Sequence, residues 1–98
     1  MSSNVYLEKI RNCVLDFMKE EEAQIYLFGS WARGEQRRGS DVDIAIDGEG
    51  PSLSSKISDL RDFLEESAIP YRVDVVDMRL ASEDLKREIG RDGILWSK

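Results

Sequence analysis

Residues 29–43 have the sequence GSWARGEQRRGSDVD and lie between two apolar runs. The stretch follows the apolar run Ile25–Phe28 and leads into a second apolar run, Ile44–Ile46. A short, continuous apolar run of this kind is typical of a strand covered on both faces. The layout predicts a strand, a turn of small residues, a polar connection, and a second strand that carries two acids on one face.

The rest of the chain alternates between helical and extended patterns. Helices are predicted over residues 5–20, over residues 51–67, and from a Ser82 cap to Gly90 or Gly93. Strands are predicted over residues 25–28, 42–46 and 71–76, and residues 94–96 form either a fourth short strand or a docking tail. This order predicts an α/β (α+β) domain of two layers, with a mixed sheet of three to four strands.

Length and composition place the chain among small globular proteins. With 98 residues, of which 41% are hydrophobic and 35% charged, residues 1–98 are expected to form a single domain. No apolar run approaches the roughly 20 residues that a bilayer span needs, and no signal-peptide pattern opens the sequence. We therefore expect a cytoplasmic protein without a membrane segment.

Several kinds of chemistry are excluded by residue type. Cys13 is the only cysteine, and the sequence contains no histidine, which excludes a disulfide, a Cys/His zinc site and a histidine-activated nucleophile. The net charge of −6 argues against direct binding to the backbone of DNA or RNA. Chemistry must then use carboxylates, hydroxyls, Lys, Arg or a bound metal.

The Gly29-Ser30 pair has two interpretations. A strand that ends in these residues lets the backbone turn sharply and approach a ligand, and donors at a helix start suit phosphate. Alternatively, Ser30 simply caps a helix. Arg33, four residues after Gly29, either contacts phosphate or pairs with a nearby acid.

Asp41 and Asp43 favour a metal-nucleotide site. Alternate residues on a strand share a face and lie about 6.5 Å apart along it, so two carboxylates there repel each other without a cation. Magnesium takes one or two carboxylates together with substrate phosphates. The alternative is the polar outer face of an edge strand. An EF-hand is excluded, because Ala45 and Ile46 occupy positions that need an Asp or Asn and a Gly.

Asp74 is a third candidate acid. It lies between Val73 and Val75 on a strand expected to be internal, where an unpartnered acid is costly. Three carboxylates on adjoining strands could hold two metals, with one acid acting as general base on a hydroxyl. Asp77 is interpreted as a turn residue, and Lys86–Glu88 as a solvated helix face.

These residues resemble the signature of the minimal nucleotidyltransferases, small members of the DNA polymerase β-like superfamily. Gly29-Ser30, ten intervening residues and then Asp41-x-Asp43 match in identity and spacing, and Asp74 matches the third acid of the family. Residues 32–34 and Ser40 also match the pattern between them. The resemblance spans nearly the whole chain and implies the polymerase β-like nucleotidyltransferase fold.

The resemblance implies Mg²⁺-dependent transfer of AMP from ATP to a hydroxyl. Asp41, Asp43 and Asp74 would be the catalytic and metal-binding residues. The nucleotide-binding residues would be Gly29, Ser30, Arg33 and Ser40.

The resemblance also implies a partner. Small members of the family are typically encoded beside a helical HEPN-domain protein, and the nucleotidyltransferase is then the antitoxin that adenylylates a tyrosine of its HEPN ribonuclease toxin. Two alternatives stay open at this point. One is a catalytically weak or inactive module that neutralises its partner by binding, and the other is transfer to a small molecule or RNA.

Overall fold

A computed structural model describes residues 4–97. The helices are α1 (Val5–Phe17), α2 (Ser30–Arg33), α3 (Leu53–Glu66) and α4 (Glu83–Asp92), and a 3₁₀ turn covers Met78–Leu80. The strands are β1 (Ala23–Phe28), β2 (Val42–Gly48), β3 (Val73–Asp77) and β4 (Ile94–Leu95). Every predicted helix and strand is present, and of the two alternatives for residues 94–96 the fourth strand is confirmed.

Helix boundaries follow local capping chemistry. The side chain of Asn4 accepts a hydrogen bond from the Leu7 amide at 3.0 Å and begins α1, and Ser82 does the same for Leu85 at 3.1 Å to begin α4. Helix α1 ends at Phe17, three residues earlier than predicted. Gly90 lies inside α4, so the prediction that it ends the helix is wrong, and Gly93 takes that role.

The four strands form one mixed sheet in the order β3-β2-β1-β4. Strand β1 is antiparallel to β2 and to β4, whereas β2 and β3 are parallel and are joined by α3 as a crossover helix. Strand β3 therefore lies at an edge of the sheet. The expectation that Asp74 lies on an internal strand is wrong, and its side chain is exposed.

The larger core lies on one face of the sheet, under α1 and α3. Alternate residues of the strands point to this face, and both helices contribute one apolar stripe. Its buried members include Ile10 and Val14 of α1, Leu53, Ile57, Leu60 and Leu64 of α3, and Ile25, Leu27, Val42, Ile44, Ile46 and Val75 of the sheet. Trp96 is also buried there and anchors the C-terminal segment.

The opposite face is covered only in part. Ile89 of α4 packs with Phe28 and Ala45 in a second, smaller apolar cluster, which Leu85 borders. The prediction of two layers is therefore incomplete, because α4 adds part of a third layer on the second face of the sheet. None of the helices within residues 4–97 is long and apolar enough to cross a membrane.

Candidate active site

The turn after β1 lies beside the second face of the sheet, the face that α4 partly covers. Gly29 has φ 77° and ψ −155°, a conformation that is essentially restricted to glycine. Ser30 then begins α2, and the Ala32 and Arg33 amides donate to the Gly29 carbonyl oxygen at 3.1 and 3.2 Å. The amides at the start of such a turn have no partner within the helix and are available to a ligand.

Of the three predicted acids, Asp43 contacts this turn and is paired in register with Asp74 on the neighbouring strand. Asp43 lies opposite Phe28 of β1 and opposite Asp74 of β3 in the strand register. Neighbouring strands lie about 4.8 Å apart, so the Asp43 and Asp74 carboxylates are adjacent on one face. Asp41 lies one residue before β2, not on the strand as predicted, but it shares the parity of Asp43.

Asp43 is electrostatically strained in this arrangement. Partial burial, followed by the negative charges of Asp74, Asp41 and Glu88, raises the pKa of Asp43 to about 6. The positive charge of Arg33 opposes this shift only in part. A cation at this position would relieve the repulsion and lower the pKa of Asp43 again.

The residue types fit magnesium. Carboxylate oxygens are the hard donors that Mg²⁺ prefers, and magnesium sites usually combine one or two of them with water and substrate phosphate. Within residues 4–97, no three acidic or sulfur side chains converge closely enough to form a complete metal cage. The arrangement therefore fits an ion whose remaining ligands come with the nucleotide.

Arg33 lies at the margin of this site and is held by acids. Its Nε donates to Glu35 at 2.9 Å, and its Nη1 lies 3.5 Å from Glu88 and 3.7 Å from Asp92. The structure thus shows the ion-pair alternative for Arg33. Contact with phosphate remains a prediction.

Ser40 is tied to the connection between the turn and the acids. Its hydroxyl accepts a hydrogen bond from the Arg37 amide at 2.8 Å, and its carbonyl oxygen accepts one from Trp31 Nε1 at 3.4 Å. Trp31 in turn packs edge-on against Tyr71, with ring centroids 5.2 Å apart. Ser40 therefore shapes the segment leading to Asp41, and its predicted contact with nucleotide is not tested.

A groove opens on the outer side of β3. It has a volume of about 540 Å³. Its walls come from the C-terminal half of α3 and from residues 69–74, namely Arg61, Leu64, Glu65, Ile69, Tyr71, Arg72, Val73 and Asp74. Of the three candidate acids, Asp74 is the one that contributes to its lining.

Two features of the site were missed in the sequence. Glu88 was interpreted as part of a solvated face, yet its charge acts on Asp43 and it contacts Arg33. The four-residue spacing of Glu88 and Asp92 places both on one face of a helix, and that was the available signal. The groove had no signal, because its walls are assembled from separate segments.

Comparison with known proteins assigns the family. The family model described as polymerase beta, nucleotidyltransferase, matches residues 8–97. The chain belongs to this family, and the predicted resemblance and fold are confirmed. The Gly29 turn and the acids of β2 and β3 thus lie in a nucleotidyltransferase domain.

Individual proteins similar to this chain give a more specific comparison than the family model does. The protein adenylyltransferase MntA of Shewanella oneidensis is 40% identical over 73 residues, which are 74% of this chain and 52% of that protein. A crystal structure of a toxin-antitoxin with AMP-PNP matches with a TM-score of 0.72 and 31% identity, covering 89% of this chain and 72% of that chain. A structure of a tri-AMPylated Shewanella oneidensis HEPN toxin in complex with MNT antitoxin matches with a TM-score of 0.67 and 26% identity, covering 92% and 71%. The chain spans about half the length of the curated relatives it matches.

Proposed function

We propose that the protein is a Mg²⁺-dependent adenylyltransferase that moves AMP from ATP to a hydroxyl group of a HEPN-domain toxin, and that it acts as the antitoxin. The observation that carries this proposal is the in-register pair Asp43 and Asp74 beside the Gly29 turn. The MntA relatives and the AMP-PNP and HEPN-toxin complexes support the choice of nucleotide and acceptor.

The proposed reaction is a displacement at the α-phosphorus of ATP. The acceptor hydroxyl oxygen forms a bond to the α-phosphorus, the bond from that phosphorus to the oxygen bridging to the β-phosphate breaks, and pyrophosphate leaves. Asp74 takes the proton of the hydroxyl as general base. Its exposed position on the edge strand leaves it accessible to an acceptor.

Binding of the nucleotide is assigned to the other side of the site. Gly29 lets the backbone approach the triphosphate, and Ser30 offers its amide and hydroxyl. Asp41 and Asp43, with Asp74, would hold magnesium, which when bound neutralises charge on the phosphates. Arg33 and Ser40 complete the proposed nucleotide contacts.

The acceptor is proposed to approach along the groove beside β3. Asp74 is part of the lining of that groove, and an attacking hydroxyl bound there is proposed to meet the general base. Its size suits a protein segment that presents a tyrosine. Because ATP is the proposed donor, the proposed location is the cytoplasm, and residues 1–98 are proposed to act as one domain.

The test is the fate of labelled ATP. The protein is incubated with Mg²⁺, the HEPN protein encoded nearby, and ATP labelled on either the α- or the γ-phosphorus. We expect the α-label to enter the HEPN protein and the γ-label to leave as pyrophosphate. Incorporation of the γ-label would contradict adenylyl transfer.

The matched variants separate catalysis from binding. Asp41→Asn with Asp43→Asn should abolish labelling, and Asp47→Asn, an exposed acid on the same strand, should not. A double variant that still protects cells from the HEPN protein as well as the wild type does would favour neutralisation by binding alone.

A further inference from the structure

Glu88 and Asp92 form an acidic pair on one face of α4. They are one helical turn apart, and both carboxylates approach the same atom, Nη1 of Arg33, at 3.5 and 3.7 Å. Asp92 also forms a shorter ion pair, at 3.0 Å, with its neighbour Arg91. Leu85 and Ile89 hold α4 against the second face of the sheet. The pair is therefore fixed in place relative to the candidate site.

Arg33 keeps part of its guanidinium available in this arrangement. Glu35 takes Nε, and Glu88 and Asp92 take Nη1. Within the part of the chain that the structure describes, Nη2 donates no hydrogen bond. A guanidinium held on two of its nitrogens is restricted in orientation, and its third nitrogen can still donate to a phosphate oxygen.

The negative charge of Glu88 lies where it is electrostatically unfavourable. That charge acts on Asp43, and it would also repel the phosphates of a bound nucleotide. The contact of Glu88 with Arg33, only three residues after Ser30, provides the compensation.

We propose that Glu88 and Asp92 are positioning residues that hold the Arg33 guanidinium beside the Gly29-Ser30 turn, with Nη2 left to bind the triphosphate. This inference rests on the proposed function and deepens it. Neither acid touches substrate, and both act through Arg33. Their contribution is a guanidinium that is already ordered when the nucleotide arrives.

The test is equilibrium binding of a non-hydrolysable ATP analogue with Mg²⁺. Glu88→Gln and Asp92→Asn should each raise the Kd about twofold to fivefold, as the loss of a partly exposed ion pair would allow. In transfer assays the KM for ATP should rise while kcat is unchanged. Glu83→Gln, which removes the same charge and an ion pair with Lys86 from the same helix, is the control and should change neither.

The sign of the effect separates positioning from simple repulsion. If Glu88 only repelled phosphate, Glu88→Gln would lower the Kd. In an Arg33→Gln background the positioning role is gone, so Glu88→Gln should then leave the Kd unchanged or lower it. A lowered or unchanged Kd in the wild-type background, or an equal rise in both backgrounds, would overturn the inference.

The outcome also distinguishes this inference from the proposed function. A wild-type protein that binds the analogue, with Glu88→Gln and Asp92→Asn binding equally well, overturns the positioning role alone. A wild-type protein that binds no analogue overturns both. Thermal unfolding of each variant checks that the fold is intact.

Discussion

The carboxylate of Asp43 lies directly against the α-carbon of Gly29. A Cβ added at Gly29 would overlap Oδ2 of Asp43 and would meet its Cγ at 3.1 Å. The turn that would approach the triphosphate and the acid that would hold the metal are thus packed against each other. A substitution at either residue should therefore alter both the turn and the position of the acid.

Gly29→Ala tests this contact. We expect it to lower the free energy of unfolding by about 3 kcal/mol, because it adds a steric overlap to a backbone conformation that alanine avoids. Gly34→Ala is the matched control, since Gly34 also has a positive φ, 73°, but has open space around it. That variant should cost only about 1 kcal/mol.

Urea unfolding measures both variants, and AMP transfer shows whether Asp43 has moved. Gly29→Ala should lose transfer activity, whereas Gly34→Ala should keep it. Equal losses of stability for the two variants would show that the contact with Asp43 is unimportant.

The raised pKa of Asp43 predicts a pH dependence for the metal-free protein. The folded protein holds the proton of Asp43 up to about pH 6, whereas the unfolded chain releases it near 3.8. Between these values the folded state binds more protons, so the contribution of Asp43 to stability falls as the pH rises. Asp43→Asn removes this penalty and should stabilise the protein by about 1–2 kcal/mol above pH 6.

The measurement is urea unfolding with a chelator from pH 4 to pH 8. The difference between Asp43→Asn and the wild type should be near zero at pH 4, grow toward pH 6 and then stay constant. Asp47→Asn, exposed on the same strand, should show no such growth. A difference that is independent of pH would contradict the shifted pKa of Asp43.

Asp74 is expected to act in catalysis more than in nucleotide binding. Asp74→Asn should lower kcat by about 100-fold, the range usual for a positioned general base, with a small change in the KM for ATP. Steady-state kinetics with the HEPN protein as acceptor measure both constants. A large rise in the KM for ATP with kcat preserved would assign Asp74 to nucleotide binding instead.

Asp77 and Arg79 form a structural ion pair at the far end of β3. Asp77 is 6% exposed, accepts from the Arg79 amide at 3.0 Å, and contacts its guanidinium at 2.8 Å. Hydrogen bonds from Arg79 hold the pKa of Asp77 below its usual value. Arg79→Met should therefore cost about 2 kcal/mol at neutral pH, since it leaves a buried carboxylate without its partner.

The sign of the pH effect follows from the lowered pKa of Asp77. Its stabilising contribution is present above the unfolded value of 3.8 and is lost as the pH falls through the folded value. The cost of Arg79→Met, measured by urea unfolding, should shrink below about pH 4. Arg87→Met removes an exposed pair with Asp84 and should cost less than about 0.5 kcal/mol at any pH.

The fold was predictable because its signals are local. Apolar spacing in α1 and α3 and the caps at Ser82 and Gly93 depend on near neighbours, and these predictions were confirmed. The identity of the edge strand was not predictable in this way. Strand order depends on which strands pair, and the sequence around Asp74 is the same whether β3 is internal or at an edge.

The candidate site, like the fold, was predictable where its residues are close in sequence and not where they are distant. The spacing of Gly29 and Asp43 could be recognised within one stretch of sequence, and β1 and β2 bring them together as an antiparallel pair. The contact of Arg33 with Glu88 joins residues far apart in the chain, and it depends on where α4 lies on the sheet. Local pattern carries no information on that placement.

The most direct test of the central claim is the intact mass of the HEPN protein after incubation with the protein, ATP and Mg²⁺. The account predicts a mass gain of one or more AMP groups, which is absent without Mg²⁺ and absent with Asp41→Asn and Asp43→Asn together. An unchanged mass with the wild type, or the same gain with the double variant, would contradict it.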